Sequence, residues 1–369
     1  MKICLFSPYV PKHLGGGEKY LFDVAAILLK LHHQVFLAVA SAKKLTEVEK
    51  QQIRLKYQAF ISQDLTELQI TEAPLFESKS GWQKLLWTAQ FEVLYYQTDG
   101  SLFFSLARKN ILHLQIPFTS PKNHWVDRLK LLNWPTKNAN SEFTRQVVSK
   151  AWKTPIQFVH YPMIQPLLQP SEIAVCLQAK QPIILNVGRF FRQLHCKHQE
   201  ILVQSFTRLC QQFPQVLRGW KLVCIGTVED EAYATEIKAL AKHFPVEFIH
   251  DASREKLMTY YKKASIYWHA TGFGENPRKN PEKMEHFGIS TVEAMSAGAA
   301  PVVIGQGGQL EILRDLPAWS WQTQAELEAK TLTLIKNQPQ LRTVQLQAIK
   351  AAKYYSPERF AETLKKMLA

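Results

Sequence analysis

The sequence predicts two α/β domains, each a doubly wound parallel sheet. Three observations predict this: short apolar runs alternate with longer amphipathic ones, the alternation restarts near the middle, and a proline-spaced segment separates the halves. In the first half the expected strands are KICLFS, QVFLAVA, YQAFI, FEVLYYQ and NILHLQIP, with EKYLFDVAAILLKL as a helix between the first two. In the second half they are PIILNVG, WKLVCIG, VEFIHD, SIYWHA and APVVIG. Most are apolar almost throughout, as strands covered on both faces must be. The segment HYPMIQPLLQPSEIAVCLQAKQP, with prolines at 162, 166, 170 and 182, reads as a linker. Near the end, Ser356 reads as an N-cap, with Pro357 at the first helical position and Glu358 in the first turn. Domains of this kind joined by such a linker are expected to face each other across a cleft at the carboxyl ends of their strands.

Composition narrows the class. The 369 residues are 46% hydrophobic and 21% charged, which is globular composition with room for a large core. Five widely spaced cysteines contain no C-x-x-C pair, so neither a disulfide framework nor a thiolate zinc site is expected, and a reducing cytoplasmic setting fits. No run of about 18 apolar residues suggests a spanning helix, and the opening MKICLFSPYV is too short for a signal segment. Membrane contact would be peripheral, at the inner face.

The net charge is +14, and residues 101–160 are its densest part, with nine basic residues against Asp127 and Glu142. With Trp125, Leu131 and Trp134 interleaved, this stretch suits an anionic lipid surface or a solvated basic face. It lacks the recognisable module of a nucleic-acid binder, so no nucleic-acid partner is expected. A non-catalytic basic protein that binds membrane or nucleic acid is the alternative to an enzyme.

Four motifs carry chemistry. Gly15, Gly16 and Gly17 lie between the first strand and helix, where backbone N–H groups can approach an anion or simply make a tight turn. In NVGRFFRQLHCKHQEIL, Arg189 leaves a strand and Lys197 precedes the next helix, an arrangement that suits a diphosphate or two surface cations. In EHFGISTVEAMSAG, Glu285 precedes a short helix and Glu293 lies one turn inside it. The Glu293 carboxylate can accept from both hydroxyls of a ribose, while N–H groups at Phe287, Gly288 and Ile289 can meet phosphate or sugar oxygens; read alone, the two glutamates equally suit an N-terminal helix charge and a solvated side chain. His113, four residues before Pro117, stands at a strand end.

Together GRFF with Lys197, YWHATGFG, EHFGISTVEAMSAGAAPVV and GGQLEIL resemble the retaining glycosyltransferases of family 4, which have the GT-B fold. The resemblance implies two Rossmann-like domains facing each other across a cleft. Residues 1–165 would form the acceptor-side domain, residues 166–355 the nucleotide-sugar-binding domain, and residues 356–369 a helix returning to the first. It implies that Glu293 holds the donor ribose, Glu285 lies against the transferred sugar, and Arg189 and Lys197 bind the diphosphate. Phe287, Gly288 and Ile289 would contact donor sugar and phosphate through their backbone, while Gly16 and Gly17 close over the donor. It places His113 near the reacting sugar or as a packed core histidine; the acidic residue that often follows this histidine is absent. His269 and His286 would position the donor, with Trp268 and Phe287 as wall. The implied reaction transfers sugar from a nucleotide diphosphate sugar to a saccharide or lipid-linked saccharide in envelope polysaccharide synthesis, with no metal or other cofactor. A nucleotide-sugar 2-epimerase on the same architecture is the enzymatic alternative.

Overall fold

The computed structural model describes residues 1–41, 44–74, 81–193 and 195–369. It divides into two compact units, residues 1–163 with 358–369, and residues 164–357. Both are parallel-sheet α/β layers of the Rossmann type.

Unit 1 runs β1 (Lys2–Ser7), α1 (Gly16–Lys30), β2 (Gln34–Val39), α2 (Glu47–Ile61), β3 (Gln69–Glu72) and α3 (Gly81–Ala89). It continues with β4 (Val93–Thr98), β5 (Lys109–Leu114), α4 (Trp125–Asn133), β6 (Thr136–Ala139), α5 (Glu142–Trp152) and β7 (Phe158–Val159). The sheet order is β3-β2-β1-β4-β5-β6-β7, all parallel. The order reverses between β1 and β4, and α1 starts just beyond that switch point. Its buried face includes Tyr20, Leu21, Val24, Ala25 and Leu28, the helical spacing of an apolar stripe.

YQAFI is not the strand its β-branched and aromatic residues suggest: it is the last turn of α2. Thr46 and Glu49 form a reciprocal capping box that starts this helix. Tyr57 and Ile61, four residues apart, are its buried side chains, and Tyr57 stacks on Phe22 at 4.0 Å. The strand at that place in the chain is β3, whose QITE has only one fully buried residue.

Unit 2 runs α6 (Ile173–Gln178), β8 (Gln181–Val187), α7 (Gln199–Gln212), β9 (Lys221–Gly226), α8 (Glu231–Leu240), β10 (Val246–His250) and α9 (Arg254–Lys263). It continues with β11 (Ala264–His269), α10 (Ile289–Ser296), β12 (Ala300–Ile304), α11 (Gln309–Ile312), β13 (Ser320–Trp321), α12 (Gln324–Lys336) and α13 (Gln338–Ala352). Its sheet order is β10-β9-β8-β11-β12-β13, so the switch point lies between β8 and β11. Part of the proline-spaced segment is helical here, as α6. Leu177 on α6 packs with Leu168 and Ile349 in a small core cluster, which supplies the tertiary burial a six-residue helix needs.

The last helix, α14 (Pro357–Leu368), belongs to unit 1. Phe360, Leu364 and Met367 recur at helical spacing and are buried in the cluster that contains Ile3, Leu5 and Tyr20. Burial of one such side chain contributes about 2 kcal/mol, enough to hold a short C-terminal helix in place. Among the described residues no helix is long and apolar enough to cross a membrane.

A polar network crosses the core of unit 1. The Tyr20 hydroxyl donates to His160 Nδ1 at 2.5 Å, and His160 Nε2 donates to the Phe360 carbonyl at 3.0 Å, tying α14 to α1. Burial pushes His160 down to about 3 and His113 down to about 4. In the unfolded chain both take a proton near pH 6.5. The fold therefore keeps its full stability above that pH and loses it as the pH falls toward these depressed values. At pH 5 each histidine costs about 2 kcal/mol, and the two together lower the midpoint of unit 1 by about 10 °C. Thermal unfolding at pH 7 and pH 5 checks this, and an unchanged midpoint contradicts it.

Candidate active site

At the switch point of unit 2, the strand ends deliver charged side chains. Val187 ends β8 and is followed by Gly188 and Arg189; His269 ends β11. Open parallel sheets bind ligands beyond such carboxyl ends because two adjacent connections leave in opposite directions there. Close backbone approach makes the arrangement compact. A Cβ on Gly226, at the end of β9, would lie 1.9 Å from the Gly188 carbonyl oxygen, and one on Gly188 would lie 2.7 Å from Lys197 Cγ.

Lys197 Nζ donates to Glu285 Oε2 at 2.6 Å, and His269 Nε2 reaches the same oxygen at 2.9 Å. The side chains of Lys197 and Glu285 are each 17% exposed, so the pair is largely desolvated yet open on one side. Burial pushes the Glu285 carboxyl up, but the Lys197 ammonium and then His269 hold it well below the usual range. Burial pushes His269 down despite Glu285, so its imidazole is neutral at pH 7. Its Nε2–H then donates to Glu285, and Nδ1 faces the Thr271 N–H at 3.4 Å. The result is a fixed carboxylate between a cation and a neutral donor.

Gly288 turns the chain from this carboxylate into α10. Its φ is +117°, a backbone region open to glycine. α10 has no side-chain cap; the Thr291 and Val292 N–H groups donate to the Gly288 carbonyl at 3.1 and 3.2 Å, and those of Ile289 and Ser290 come before any acceptor within the helix. The motif GGQLEIL explains itself here: Cβ atoms on Gly307 and Gly308 would lie 2.5 Å from the Glu285 and His286 carbonyl oxygens, and the Gly308 N–H donates to the Glu285 carbonyl at 2.7 Å. The loop after β12 thus clamps the backbone of Glu285 to Phe287. Gln309 is buried beside it, and both polar atoms of its amide lack a hydrogen-bond partner among the described residues. A Cβ on Gly288 would meet that amide at 2.5 Å.

Glu293 lies on α10 and is buried, with Oε1 accepting from Arg254 Nη2 at 2.6 Å. Arg254, the first residue of α9, was not singled out by the sequence reading; its signal is Ser253, which caps α9 and fixes that helix start beyond β10. Arg189 is half exposed and donates from Nη1 to both carboxylate oxygens of Glu229 at 3.1 Å. His286 is buried, and its ring packs edge-on to His195 at 4.1 Å. Unit 2 therefore gathers Lys197 and Glu285 directly, with Arg189, Phe287, Gly288, Ile289 and Glu293 on the adjoining turns.

Gly16, Gly17 and His113 belong to unit 1. Gly15 is the N-cap of α1, and Gly16 and Gly17 are its first two positions, without a side-chain cap. Gln97 Nε2 donates to the Gly17 carbonyl at 3.3 Å. His113 is fully buried, stacked on Tyr20 at 3.9 Å, with Nδ1 2.5 Å from Asn138 Oδ1 and Nε2 2.8 Å from the Gln115 amide. Both ring nitrogens face amide oxygens, and the neutral imidazole donates to one of them at a time.

Among the described residues, one group of side chains could hold a metal ion. Cys196, His198 and Glu200 place ligand atoms within 4.8 Å of one another, beside a cavity of about 370 Å³. These atoms already serve one another: His198 Nδ1 pairs with Glu200 at 2.8 Å, and the Tyr233 hydroxyl donates to Glu200. They alternate with Lys197, which turns instead toward Glu285.

Comparison with known proteins gives this geometry a context. Residues 174–353 match the family model described as glycosyl transferases group 1. The chain is 27% identical over 263 residues to a GDP-Man:Man(3)GlcNAc(2)-PP-Dol alpha-1,2-mannosyltransferase of Neurospora crassa, covering 62% of this chain and 45% of that one. It spans less than half the length of that relative. The enzyme of the same name from Yarrowia lipolytica is 27% identical over 184 residues, 46% of this chain and 27% of that one. Among solved structures, a glycosyltransferase from Rickettsia africae has a TM-score of 0.71 at 14% identity, covering 100% and 98% of the two chains. Anabaena HepE in complex with UDP-glucose has a TM-score of 0.69 at 16% identity, covering 100% and 99%. Residues 174–353 thus carry the pattern of the glycosyl transferases group 1, and the fold is that of the GT-B glycosyltransferases.

Proposed function

We propose that this protein is a retaining glycosyltransferase that moves a sugar from a nucleotide diphosphate sugar to a hydroxyl of a saccharide or lipid-linked saccharide. The observation that carries the reading is the Lys197–Glu285–His269 cluster at the switch point, one turn ahead of an uncapped helix start. Such a site offers a cation and backbone N–H groups for a diphosphate, and a fixed carboxylate for sugar hydroxyls. The match of residues 174–353 supports the same assignment.

As the bond from C1 to the diphosphate breaks, charge builds on the leaving phosphate. Arg189, Lys197 and the N–H groups at Phe287, Gly288 and Ile289 stabilise it without reorganising, which lowers the barrier. The diphosphate competes with Glu285 for Lys197 and with Glu229 for Arg189, so donor binding exchanges internal ion pairs for ligand ones. Glu285 then bonds hydroxyls of the transferred sugar. Glu293, oriented by Arg254, accepts from the ribose hydroxyls. In unit 1, Gly16 and Gly17 offer backbone N–H groups at the start of α1 that suit an anion, and His113 is hydrogen-bonded to Gln115 at the end of β5. No step calls for a metal ion, since side chains and backbone N–H groups meet the leaving charge.

GDP-mannose and a lipid-linked oligosaccharide are the first substrates to try, because the Neurospora and Yarrowia relatives are named for them; UDP-glucose and UDP-N-acetylglucosamine complete the panel. Incubation of each donor with and without acceptor, followed by NMR of the product, tests the reading. Product with the donor's anomeric configuration is expected. Inverted product removes the retaining assignment, and free epimerised sugar without acceptor moves the protein to the 2-epimerases. Glu293→Gln keeps shape but turns one acceptor into a donor; it is expected to raise the donor dissociation constant about tenfold, or about 1.4 kcal/mol, with the fold intact but about 1 kcal/mol less stable, because Arg254 loses its charged partner.

A further inference from the structure

We infer that α3, the segment 101–106 and α4 form a surface that docks on an anionic lipid membrane. The sequence points to the basic stretch after residue 101 with Trp125, Leu131 and Trp134; the fold buries Leu131 and Trp134 in the core, leaves Trp125 exposed and adds α3. Trp82 and Leu86, four residues apart on α3, are 73% and 65% exposed. On α4, Trp125, Leu129 and Leu132 are 67%, 46% and 75% exposed at spacings of four and three. Neither helix turns these residues toward the core: Thr88 and Leu131 are the buried positions.

A groove of about 720 Å³ separates the two helices, lined by Trp82, Lys84 and Leu85 on one side, Lys130 on the other, and Phe103 and Phe104 between them. Lys84 and Lys130 make no ion pair among the described residues, and Asp127 is the single acid on either helix. Isolated exposed apolar residues are ordinary, but two tryptophans and three leucines on neighbouring helices are not. Tryptophan favours the boundary between hydrocarbon and water, since its ring is apolar and its N–H is not. Lysines beside it find their counter-charge in anionic headgroups. A second copy of the chain supplies no such charge, because this surface brought against itself sets lysine near lysine.

Flotation of the full chain with vesicles tests this. Vesicles containing phosphatidylglycerol are expected to retain at least tenfold more protein than pure phosphatidylcholine vesicles, and retention is expected to fall as salt is raised. The variants W82S/L86S and W125S/L132S are expected to lose at least tenfold of that retention, and K84E/K130E its salt dependence. Thermal midpoints equal to wild type show that the variants fold. Equal retention on both vesicle types overturns the proposal, as do variants that float like wild type. A concentration-dependent dimer that the variants abolish also overturns it, assigning the surface to a second copy. The surface belongs to unit 1 and the Lys197–Glu285 cluster to unit 2, so vesicle binding and nucleotide-sugar binding fail separately.

Discussion

Lys197→Ala is expected to reduce donor-dependent turnover by about 10²–10³-fold, the loss seen when one preorganised charge-stabilising group is removed. It also destabilises unit 2, because Glu285 is left largely buried with only a neutral imidazole beside it. A fully buried pair broken on one side loses 3–5 kcal/mol as an upper figure; with 17% of each side chain exposed, about 2 kcal/mol is expected here. Adding Glu285→Gln to Lys197→Ala restores most of that stability, since the uncompensated charge is gone, but restores no turnover. Urea unfolding and initial rates on the two single variants and the double variant separate these effects. A double variant as unstable as Lys197→Ala alone contradicts the ion pair as the structural link.

Gly226→Ala is expected to be nearly as damaging, although residue 226 carries no side chain to lose. Its Cβ would lie 1.9 Å from the Gly188 carbonyl oxygen, a backbone atom that cannot rotate away. Relief requires the ends of β8 and β9 to separate, which lengthens the bond from the Gly188 N–H to the Ile225 carbonyl, now 2.9 Å, and displaces Arg189. A loss of about 3 kcal/mol is expected, together with a donor affinity at least tenfold weaker. Gly219→Ala serves as the control, because nothing lies within 4 Å of its Cβ; its φ of +83° makes it mildly destabilising without touching donor affinity. Equal effects of the two substitutions contradict the close approach as the cause.

Most strands that could be read from sequence are buried on both faces; β10, read from VEFIHD, is an exception with one buried residue. β1, β4, β8, β9 and β11 are nearly continuous apolar runs, and their burial patterns say why. β3, β6 and β7 escaped notice because QITE, TKNA and FV are short or polar and take their strand form from the neighbours they pair with. YQAFI misled because tyrosine, phenylalanine and isoleucine favour strands locally, while the capping box eleven residues earlier commits the segment to helix.

The candidate site shows the same division. Gly288 marks a helix start that the sequence singles out, GGQLEIL, Lys197 and Glu285 stand in recognisable motifs, and the close approach of Gly307 and Gly308 to Glu285 and His286 is visible only in the fold. The bonds from Lys197 and His269 to Glu285 join residues 88 and 16 positions apart, and neither spacing announces contact. Arg254 on Glu293 was not legible for the same reason, because it joins residues of two helices 39 positions apart in sequence; Gln115 on His113 is a local pair two residues apart, set by side-chain direction at the end of β5.

Calorimetric titration of the nucleotide-sugar panel into the wild-type chain and Lys197→Ala tests the central claim most directly. The account predicts saturable binding of at least one nucleotide diphosphate sugar to wild type, weakened at least tenfold by Lys197→Ala. Absence of binding by every donor, or binding that Lys197→Ala leaves unchanged, contradicts it.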